Sequence, residues 1–368
     1  MKIAFLFGSL NRGGTETLML DVCRNLNNSG FEAIGIYRKK GVMEQDFLST
    51  SVKFHYLPVE KNKIAYFVRL RKLLIAEKVT IVHAQQPLDA VLAKIAMSAT
   101  KTKVILTVHG FDTTEKNKKN KLLDFILKRT NKNIYVSQFQ KRYYTTKYHL
   151  NEKKQIVIYN GIDFKKIEPT ANEKSSDLRN ELHINRETLL FGMVGNFTAV
   201  RDPMTVCRFL KLLNQKQVDF LFVFVGKKVD NEPERFDECL DFCKKNDLNE
   251  RVRFLGSRQD VPNILHQLDA FVYSSEQDTF GIAVVEALAA GISVFVNDWE
   301  VMKEITENGN LAILYKSKDE YDLLDKFMLF LQSKEKFQSK AEEVKNTVRK
   351  KYDINSYLIH LKELYASL

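Results

Sequence analysis

The segment S-S-E-Q-D-T-F-G-I-A-V-V-E-A-L-A-A-G-I-S-V, residues 274–294, carries the clearest indication of the architecture. The apolar run Ala270–Tyr273 directly before it has the length and composition of a buried strand. After the Phe280-Gly281 turn, the small apolar residues of Ile282–Ala290 predict a buried helix, which Gly291 ends. A buried strand, a short turn and a buried helix form the repeating unit of α/β proteins.

Two carboxylates bracket this turn, Asp278 directly before it and Glu286 within the helix. The first amides of a helix have no partner inside the helix and attract anions such as phosphate. Glu286 lies in an otherwise apolar stretch, where a buried carboxylate is costly unless it is paired or hydrogen-bonded. Asp278 can cap the helix or bind a ligand hydroxyl. A phosphate at the helix start, with hydroxyl groups beside both carboxylates, describes a nucleotide-sugar site.

The same alternation of strand and helix runs through the whole chain. Thirteen β-branched and aromatic runs predict strands, and the segments between them show helical periodicity, for example at residues 15–28, 64–77 and 204–215. Near-continuous apolar strands that alternate with helices predict parallel sheets covered on both faces. Thirteen strands suit two doubly wound α/β domains better than one sheet. The predicted strands are residues 2–7, 33–37, 53–57, 80–84, 103–108, 133–136, 155–159, 189–194, 220–225, 252–255, 270–273, 293–296 and 311–314.

The Asn-Gly-Ile-Asp segment at residues 160–163 marks the predicted boundary between the domains. It follows a predicted strand and precedes a polar stretch, and Asn and Gly tolerate the backbone of a tight turn. We expect an N-terminal domain at residues 1–163, joined by a C-terminal helix at residues 353–368 that packs back onto it. The C-terminal domain is expected at residues 164–352.

The net charge of +11 is unevenly divided along the chain. Residues 1–160 contain 28 Lys and Arg against 12 Asp and Glu, whereas the remainder is mildly acidic. The densest basic segment, residues 115–129, mixes lysine with leucine, isoleucine and phenylalanine, as a helix lying on an anionic membrane would. An ordinary solvated helix with its apolar side in the core fits the same composition. The lysines expected to contact membrane or acceptor are Lys116, Lys118, Lys119 and Lys121.

Composition narrows the class of protein further. No sequence segment is long and apolar enough to span a bilayer, and the N-terminus predicts a first strand rather than a signal peptide. The four cysteines lack the spacing of a metal site, which favours reduced thiols in a cytosolic protein. Nucleic acid is not an expected partner, because the sequence has no aromatic-interleaved basic patch or zinc finger. We expect a cytoplasmic protein, peripheral on the inner face of the cell membrane.

Other candidate residues follow predicted strands, where ligands bind in α/β folds. Gly13 and Gly14 lie in a turn that opens the first helix, without the G-x-G-x-x-G of a dinucleotide site. His109 follows the strand at 103–108, and His83 is a weaker candidate of the same kind. Arg201 stands near a helix start, where a cation could bind a diphosphate. Each of these residues alone also fits an ordinary loop or surface position.

Together these motifs resemble those of the retaining glycosyltransferases of family 4, which adopt the GT-B fold. The most specific part is the pair Asp278 and Glu286, which flank a Phe-Gly turn with seven residues between them. The resemblance covers nearly the whole chain and implies two Rossmann-like domains that face a central cleft. It places the acceptor site in the N-terminal domain and the nucleotide-sugar site in the C-terminal domain. The other matching segments are Gly13-Gly14-Thr15-Glu16, Val108-His109-Gly110, Tyr-Asn-Gly-Ile-Asp at residues 159–163, Val252–Gly256 and Ser275.

The resemblance also implies roles for single residues. Glu286 would bind the ribose hydroxyls of the nucleotide, and Asp278 would bind hydroxyls of the donor sugar. Arg201 would neutralise the diphosphate, and His109 would contact the sugar near the reacting carbon. The remaining donor contacts would come from Gly13, Gly14, Asn196, Phe254, Ser275, Thr279 and the backbone amides of Phe280, Gly281 and Ile282.

Three departures from the family pattern bear on the donor. Asp278 stands where the family usually has Glu and is one methylene shorter. Asn196 stands where the family generally has Arg, so one diphosphate cation is missing. The Asn-Asp-Trp-Glu segment at residues 297–300 lacks the usual glycines.

The implied function is retaining transfer of a hexose or N-acetylhexosamine from a nucleotide-diphosphate sugar in surface polysaccharide biosynthesis. A UDP-sugar is favoured over a GDP-sugar, and the acceptor would be a glycan or a polyprenyl-diphosphate-linked glycan. No cofactor and no metal are expected, since no D-x-D motif stands beside a strand. Two alternatives remain: a non-catalytic GT-B partner protein, which Asp278 and Asn196 make conceivable, and a nucleotide-sugar epimerase.

Overall fold

The computed structural model describes residues 1–26, 30–59, 63–112, 120–168 and 177–368. The chain divides into two compact units. Unit 1 contains Met1–Ile162 and Tyr352–Leu368, and unit 2 contains Asp163–Lys351. Each unit is built on one parallel sheet, which agrees with the predicted α/β class.

Every predicted strand is present, with ends within two residues of the prediction. The strands of unit 1 are β1 Lys2–Phe7, β2 Glu32–Tyr37, β3 Lys53–Tyr56, β4 Ile81–Ala84, β5 Lys103–Val108, β6 Lys132–Tyr135 and β7 Gln155–Val157. Those of unit 2 are β8 Leu189–Val194, β9 Phe220–Val225, β10 Val252–Gly256, β11 Ala270–Tyr273, β12 Ser293–Asn297 and β13 Ile313–Tyr315. The orders are β3-β2-β1-β4-β5-β6-β7 and β10-β9-β8-β11-β12-β13. The order reverses beside β1 and beside β8, which is where ligands bind in doubly wound sheets.

Helices connect the strands in both units. In chain order they are α1 Gly14–Asn25, α2 Glu44–Leu48, α3 Lys63–Ala76, α4 Pro87–Ala96, α5 Lys121–Arg129, α6 Gln138–Tyr148, α7 Leu178–Glu181, α8 Pro203–Gln215, α9 Pro233–Lys245, α10 Val261–Gln267, α11 Ile282–Ala290, α12 Glu300–Ile305, α13 Glu320–Gln332, α14 Lys334–Tyr352 and α15 Ile354–Ala366. No described helix has the length and apolarity needed to cross a membrane.

Unit 1 buries apolar side chains on both faces of its sheet. On one face α1, α2 and α15 form a core that includes Met19, Phe47 and Leu361. On the other face α3, α4, α5 and α6 form a second core around residues such as Leu70 and Ile126. Coverage on both faces explains why the central strands are apolar at nearly every position.

His83 joins the C-terminal helix to this sheet. Its Nδ1 lies 2.6 Å from the hydroxyl of Tyr365 in α15, and its Nε2 lies 2.6 Å from the hydroxyl of Thr107 in β5. The imidazole is fully buried, and burial lowers its pKa to about 3. Both ring nitrogens are occupied inside the core, so the geometry gives His83 a structural role rather than a ligand-binding one.

The basic segment at residues 115–129 divides into two parts. Residues 113–119, with Lys116, Lys118 and Lys119, lie outside the described residues. Lys121 is exposed at the start of α5. The helix buries Leu123, Ile126 and Leu127 in the core of unit 1 and leaves Leu122 and Phe125 exposed. One side of α5 is therefore an ordinary core-packing side, and the other combines basic and apolar residues.

Candidate functional site

The turn between β11 and α11 depends on Gly281. Its φ of +79° lies in the left-handed region, which glycine adopts without strain. A Cβ at this position would lie 2.7 Å from Cε of Met302. The helix that follows starts at Ile282, and its N-cap residue Gly281 supplies no side-chain cap, so the helix start suits an anion.

Asp278 is held in place by side chains from three directions. The Tyr273 hydroxyl donates to its Oδ2, and the indole N–H of Trp299 donates to its backbone carbonyl at 3.0 Å. Its own amide donates to Oγ of Ser275 at 3.0 Å. Within the described residues Oδ1 has no hydrogen-bond partner, so one oxygen of a positioned carboxylate is left for a ligand.

Arg201 reaches the same tyrosine from the loop after β8. Its Nε donates to the Tyr273 hydroxyl at 2.9 Å, and its Nη1 donates to the carbonyl of Asn196 at 3.1 Å. Tyr273 is fully buried, and burial raises its pKa above the ordinary value. The phenol therefore keeps its proton and bridges the candidate diphosphate cation to Asp278.

Asn196 fixes the loop that carries Arg201. Its Oδ1 accepts from the backbone N–H of Lys227 at 3.1 Å, which ties the end of β8 to the end of β9. The preceding Gly195 has a φ of +154°, and a Cβ there would lie 2.5 Å from Nε of Arg201. Asn196, which stands where the family has arginine, therefore holds the loop through a hydrogen bond. Gly195 leaves room beside it for the side chain of Arg201.

Asn297 clamps the turn after β11. Its Oδ1 accepts from the amide of Ser275 at 2.9 Å, and its Nδ2 donates to the carbonyl of the same residue at 2.8 Å. Ser275 is buried, and its hydroxyl also donates to the carbonyl of Val200 at 3.2 Å. The glycine-free segment at 297–300 therefore supplies Asn297 and Trp299, which hold the candidate donor loop. The sequence analysis did not predict a role for Asn297 or Trp299, although the missing family glycines in this segment could have indicated one.

Glu286 has a different environment from Asp278. It lies on α11, is half-buried, and has no partner for its carboxylate within the described residues. Burial raises its pKa to about 7. A carboxyl group with a strongly perturbed pKa and no protein partner is a candidate ligand-binding group.

The other predicted donor residues fall into two classes. The ring of Phe254 belongs to an aromatic cluster, with centroids 5.1 Å from Phe224 and 5.2 Å from Phe236. Phe254 is half-buried in this cluster, and the predicted base contact would come from its backbone. Phe280 is buried, whereas Thr279 and Ile282 are half-buried beside the α11 start.

In unit 1, Gly13, Gly14 and His109 follow strands β1 and β5 and so lie at the carboxyl edge of the sheet. Nε2 of His109 donates to Oε1 of Gln85 at 2.9 Å. Burial lowers the pKa of His109 to about 4, so the imidazole is neutral near pH 7. Gly13 is the N-cap residue of α1 and has no side chain with which to cap the helix.

Helix α6 anchors the loop that carries His109. The carbonyl of Gly110 accepts from the Tyr144 hydroxyl at 2.9 Å and from Nε2 of Gln140 at 3.0 Å. Two residues later, Asp112 pairs with Nζ of Lys147 at 2.8 Å. These contacts hold Gly110 and Asp112, which directly follow His109 in the chain.

Two buried polar atoms at this edge lack a partner in the described part of the chain. They are Nε2 of Gln85, which follows β4, and Oδ2 of Asp89, in the first turn of α4. Oδ1 of Asp89 accepts from Nε of Arg38 at 2.5 Å. Buried polar groups are nearly always hydrogen-bonded, so these residues, which sequence reasoning missed, are candidates for polar ligand contacts.

Comparisons with known proteins agree with this arrangement. The family Glycosyltransferase Family 4 matches residues 12–166, and Glycosyl transferases group 1 matches residues 174–351. The UDP-Gal:alpha-D-GlcNAc-diphosphoundecaprenol alpha-1,3-galactosyltransferase of Escherichia coli is 28% identical over 84% of this chain and 79% of its own. The capsular polysaccharide biosynthesis glycosyltransferase CapH of Staphylococcus aureus is 22% identical over 100% of this chain and 99% of its own.

A solved structure shows the same fold. Anabaena Alr3699/HepE in complex with UDP-glucose matches this chain with a TM-score of 0.85 at 18% identity, and the match covers 100% of both chains. The two family matches together span most of the sequence. The chain therefore has the GT-B fold and belongs to the family 4 glycosyltransferases of the glycosyl transferases group 1, as its motifs predicted.

Proposed function

We propose that this glycosyltransferase transfers a hexose or N-acetylhexosamine, with retention of configuration, from a nucleotide-diphosphate sugar to a glycan or lipid-linked glycan in surface polysaccharide biosynthesis. The observation that carries the proposal is the pair of carboxylates around the start of α11. Asp278 has one uncommitted oxygen, and Glu286 has no partner in the described residues. Hydroxyl groups of a donor sugar and of a ribose would supply the missing partners.

A UDP-sugar is the favoured donor and a GDP-sugar the second choice. The name of the Escherichia coli relative specifies UDP-Gal, and the HepE structure holds UDP-glucose. In our proposal Glu286 binds the ribose, and the backbone of β10 contacts the base. Asp278 and the half-buried Thr279 bind the sugar.

The chemistry that we propose is electrostatic. The bond between the sugar carbon and the diphosphate oxygen breaks while the acceptor hydroxyl attacks the same face, and the leaving phosphate oxygen takes the hydroxyl proton. Arg201 and the first amides of α11 stabilise the negative charge on the leaving diphosphate. Since these groups are already cationic or partly positive, we propose that the reaction needs no metal.

The residues of unit 1 would bind sugar and phosphate groups. We propose that the neutral His109 contacts a sugar and that Gly13 and Gly14 lie close to a phosphate group. The unpartnered polar atoms of Gln85 and Asp89 would bind hydroxyl groups of the acceptor glycan. The basic N-terminal half favours an anionic acceptor, such as a polyprenyl-diphosphate glycan, at the cytoplasmic face of the membrane.

The first experiment measures donor binding and slow donor hydrolysis across UDP-, GDP- and ADP-sugars. We expect one UDP-sugar to bind, and Glu286→Ala to weaken that binding by about 10- to 100-fold, since a hydrogen bond to a charged group is worth about 1.5–3 kcal/mol. Glu343→Ala is the matched control, because Glu343 is an exposed glutamate of α14 in the same unit.

The same experiment discriminates between the alternatives. If no donor binds, a non-catalytic role replaces the proposal. If the donor is converted to an isomer without an acceptor, the protein is an epimerase. With a lipid-linked acceptor, nuclear magnetic resonance of the product would show the same anomeric configuration as the donor, and inversion would refute the retaining mechanism.

A further inference from the structure

The ion pair of Arg38 and Asp89 lies at the carboxyl edge of the unit 1 sheet. Arg38 directly follows β2, and Asp89 stands in the first turn of α4, the helix that follows β4. The side chain of Arg38 is 11% exposed and that of Asp89 is 1% exposed. Because β1 lies between β2 and β4, the pair crosses the carboxyl end of β1, where the strand order reverses and doubly wound sheets bind ligands.

The pair uses only part of the hydrogen-bonding capacity of its two groups. Arginine frequently binds a carboxylate through two parallel hydrogen bonds. Here Nε of Arg38 donates to Oδ1 of Asp89 at 2.5 Å, while Nη1 and Nη2 have no acceptor within the described residues. Oδ2 of Asp89 is buried and has no partner there either. Further hydrogen bonds are needed to offset the desolvation of a buried pair, so the open atoms on both groups indicate a polar ligand.

Gly8 keeps the guanidinium at the end of β1. It directly follows this strand, and a Cβ at its position would lie 3.0 Å from Nη2 of Arg38 and would overlap Oε1 of Gln86. Any larger residue at position 8 would therefore crowd the guanidinium. Glycine leaves Nη2 beside the crevice of the sheet.

The third ionisable group near the pair adds no negative charge. The phenol of Tyr66 in α3 interacts electrostatically with both Asp89 and Arg38. Tyr66 is 1% exposed, and burial raises its pKa to about 12, so the phenol keeps its proton near pH 7. Arg38 is thus a fixed cation whose carboxylate partner occupies Nε and leaves Nη1 and Nη2 for an oxyanion.

We propose that Arg38 binds the oxyanion of an acidic acceptor sugar, while Oδ2 of Asp89 accepts a hydrogen bond from a hydroxyl group of the same sugar. Nη1 and Nη2 present two donors in a plane, a geometry that matches the oxygens of a carboxylate or a phosphate. Asp89 then both holds the guanidinium and binds the sugar. The inference rests on the proposed function, which places the acceptor in unit 1, and adds the chemical class of that acceptor.

The oxyanion has two sources, a carboxylate on a sugar of the glycan or a phosphate that joins the first sugar to a lipid. The test is calorimetric titration of the full chain, without donor, with millimolar D-glucuronic acid, D-glucose 1-phosphate and D-glucose. We expect at least one acid to bind, and glucose to bind at least about tenfold more weakly, since it lacks the charge-assisted hydrogen bonds. Tighter binding of glucuronic acid assigns the site to a carboxylate, and tighter binding of glucose 1-phosphate assigns it to a phosphate.

The variant must remove both charges, because Arg38→Gln alone would leave a buried carboxylate without its counter-charge. Arg38→Gln/Asp89→Asn replaces the ion pair with two amides, and we expect it to bind the acids at least about tenfold more weakly than the wild type. The matched control is Arg208→Gln/Glu320→Gln, which removes an ion pair of 3.1 Å from unit 2 with the same net charge. The control should bind the acids as the wild type does, and circular dichroism checks that both variants are folded.

A second variant covers the case in which the double variant does not fold. Arg38→Lys keeps the positive charge and loses the planar pair of donors, so it should bind the acids more weakly than the wild type. Unchanged acid affinity in Arg38→Lys would then overturn the inference.

The remaining outcomes separate this inference from the proposed function. Equal binding of glucose and the acids, no binding of either acid to the wild type, or equal losses in the Arg38 and Arg208 double variants would overturn the inference. If the acids bind through Arg38 while no nucleotide sugar binds, only the proposed function fails. If a nucleotide sugar is bound and hydrolysed but neither acid binds, only this inference fails.

Discussion

The indole N–H of Trp299 donates to the backbone carbonyl of Asp278 at 3.0 Å, across two successive loops of unit 2. Trp299 comes from the segment that lacks the family glycines, and Asp278 stands where the family has Glu. The same turn is bound by Asn297, and the Asp278 carboxylate is bound by Tyr273. The two departures from the family pattern are thus in direct contact: side chains of the glycine-free segment hold the turn that carries Asp278.

Tyr273→Phe tests the bridge between Arg201 and Asp278. The substitution keeps the buried ring and removes the hydroxyl, which leaves two charged groups without a shared partner. We expect kcat/KM for donor hydrolysis to fall by about 10- to 100-fold, from the loss of about 1.5–3 kcal/mol. The control is Tyr357→Phe, whose buried hydroxyl has no partner in the described residues. Similar losses of kcat/KM in both variants would show that removing any buried tyrosine hydroxyl lowers activity, and would refute a specific role for the bridge.

Trp299 makes donor binding directly visible. It is the single tryptophan of the chain, and it is half-buried against the loop of Asp278. We expect a saturable change in tryptophan fluorescence on titration with the correct nucleotide sugar. The change should be lost in Glu286→Ala, because that variant lacks the carboxylate that we propose binds the ribose. A fluorescence change of full size in Glu286→Ala at the same donor concentration would contradict the assignment of this carboxylate.

Glu286→Gln tests the perturbed carboxyl group through the pH dependence of stability. The pKa of Glu286 in the folded protein is about 7, above its ordinary value of 4.5. The folded state therefore holds the proton more tightly than the unfolded state, and stability falls as the pH rises from about 4.5 through 7. Gln cannot ionise, so thermal unfolding of the variant should lack this loss. If the unfolding temperatures of wild type and variant change equally with pH between pH 5 and 8, the raised pKa of Glu286 is refuted.

His83→Ala tests the structural role of the buried histidine. It removes two hydrogen bonds and leaves the hydroxyls of Thr107 and Tyr365 unpaired inside the core. We expect a loss of about 2–4 kcal/mol in the free energy of unfolding, measured by denaturant titration. Donor binding at low temperature should be unchanged, because the two carboxylates that we propose bind the donor belong to unit 2. A loss of donor binding with unchanged stability would return His83 to the candidate site.

The pKa of His83 adds a pH dependence of opposite sign to that of Glu286. Burial lowers the pKa of His83 to about 3, below its ordinary value of 6.5. The unfolded state therefore binds the proton more tightly, and the wild type should lose stability as the pH falls from about 6.5 towards 3. The His83→Ala variant should lack this acid-dependent part of the loss. An identical acid profile for both proteins would contradict the neutral, core-bound imidazole.

Much of the fold was predictable because its signals are local. Each strand is a short apolar run whose burial on both faces leaves a pattern in consecutive residues, as in Phe220–Val225. Gly281 was predictable for a similar reason, since the turn between β11 and α11 requires a left-handed backbone at one position. The carboxylates Asp278 and Glu286 stood out because they interrupt small and apolar neighbours.

The partners of those residues were not predictable from local pattern. Tyr273 ends an ordinary apolar strand, and nothing near it in the sequence indicates that its hydroxyl meets Arg201, 72 residues earlier. His83 and His109 both follow or end a parallel strand, yet one is enclosed by Tyr365 of the C-terminal helix and the other meets Gln85 at the sheet edge. Periodicity and turn chemistry depend on neighbours in the chain, so they specify elements and their order. Which polar atoms are paired and which stay open depends on distant segments that only packing brings together.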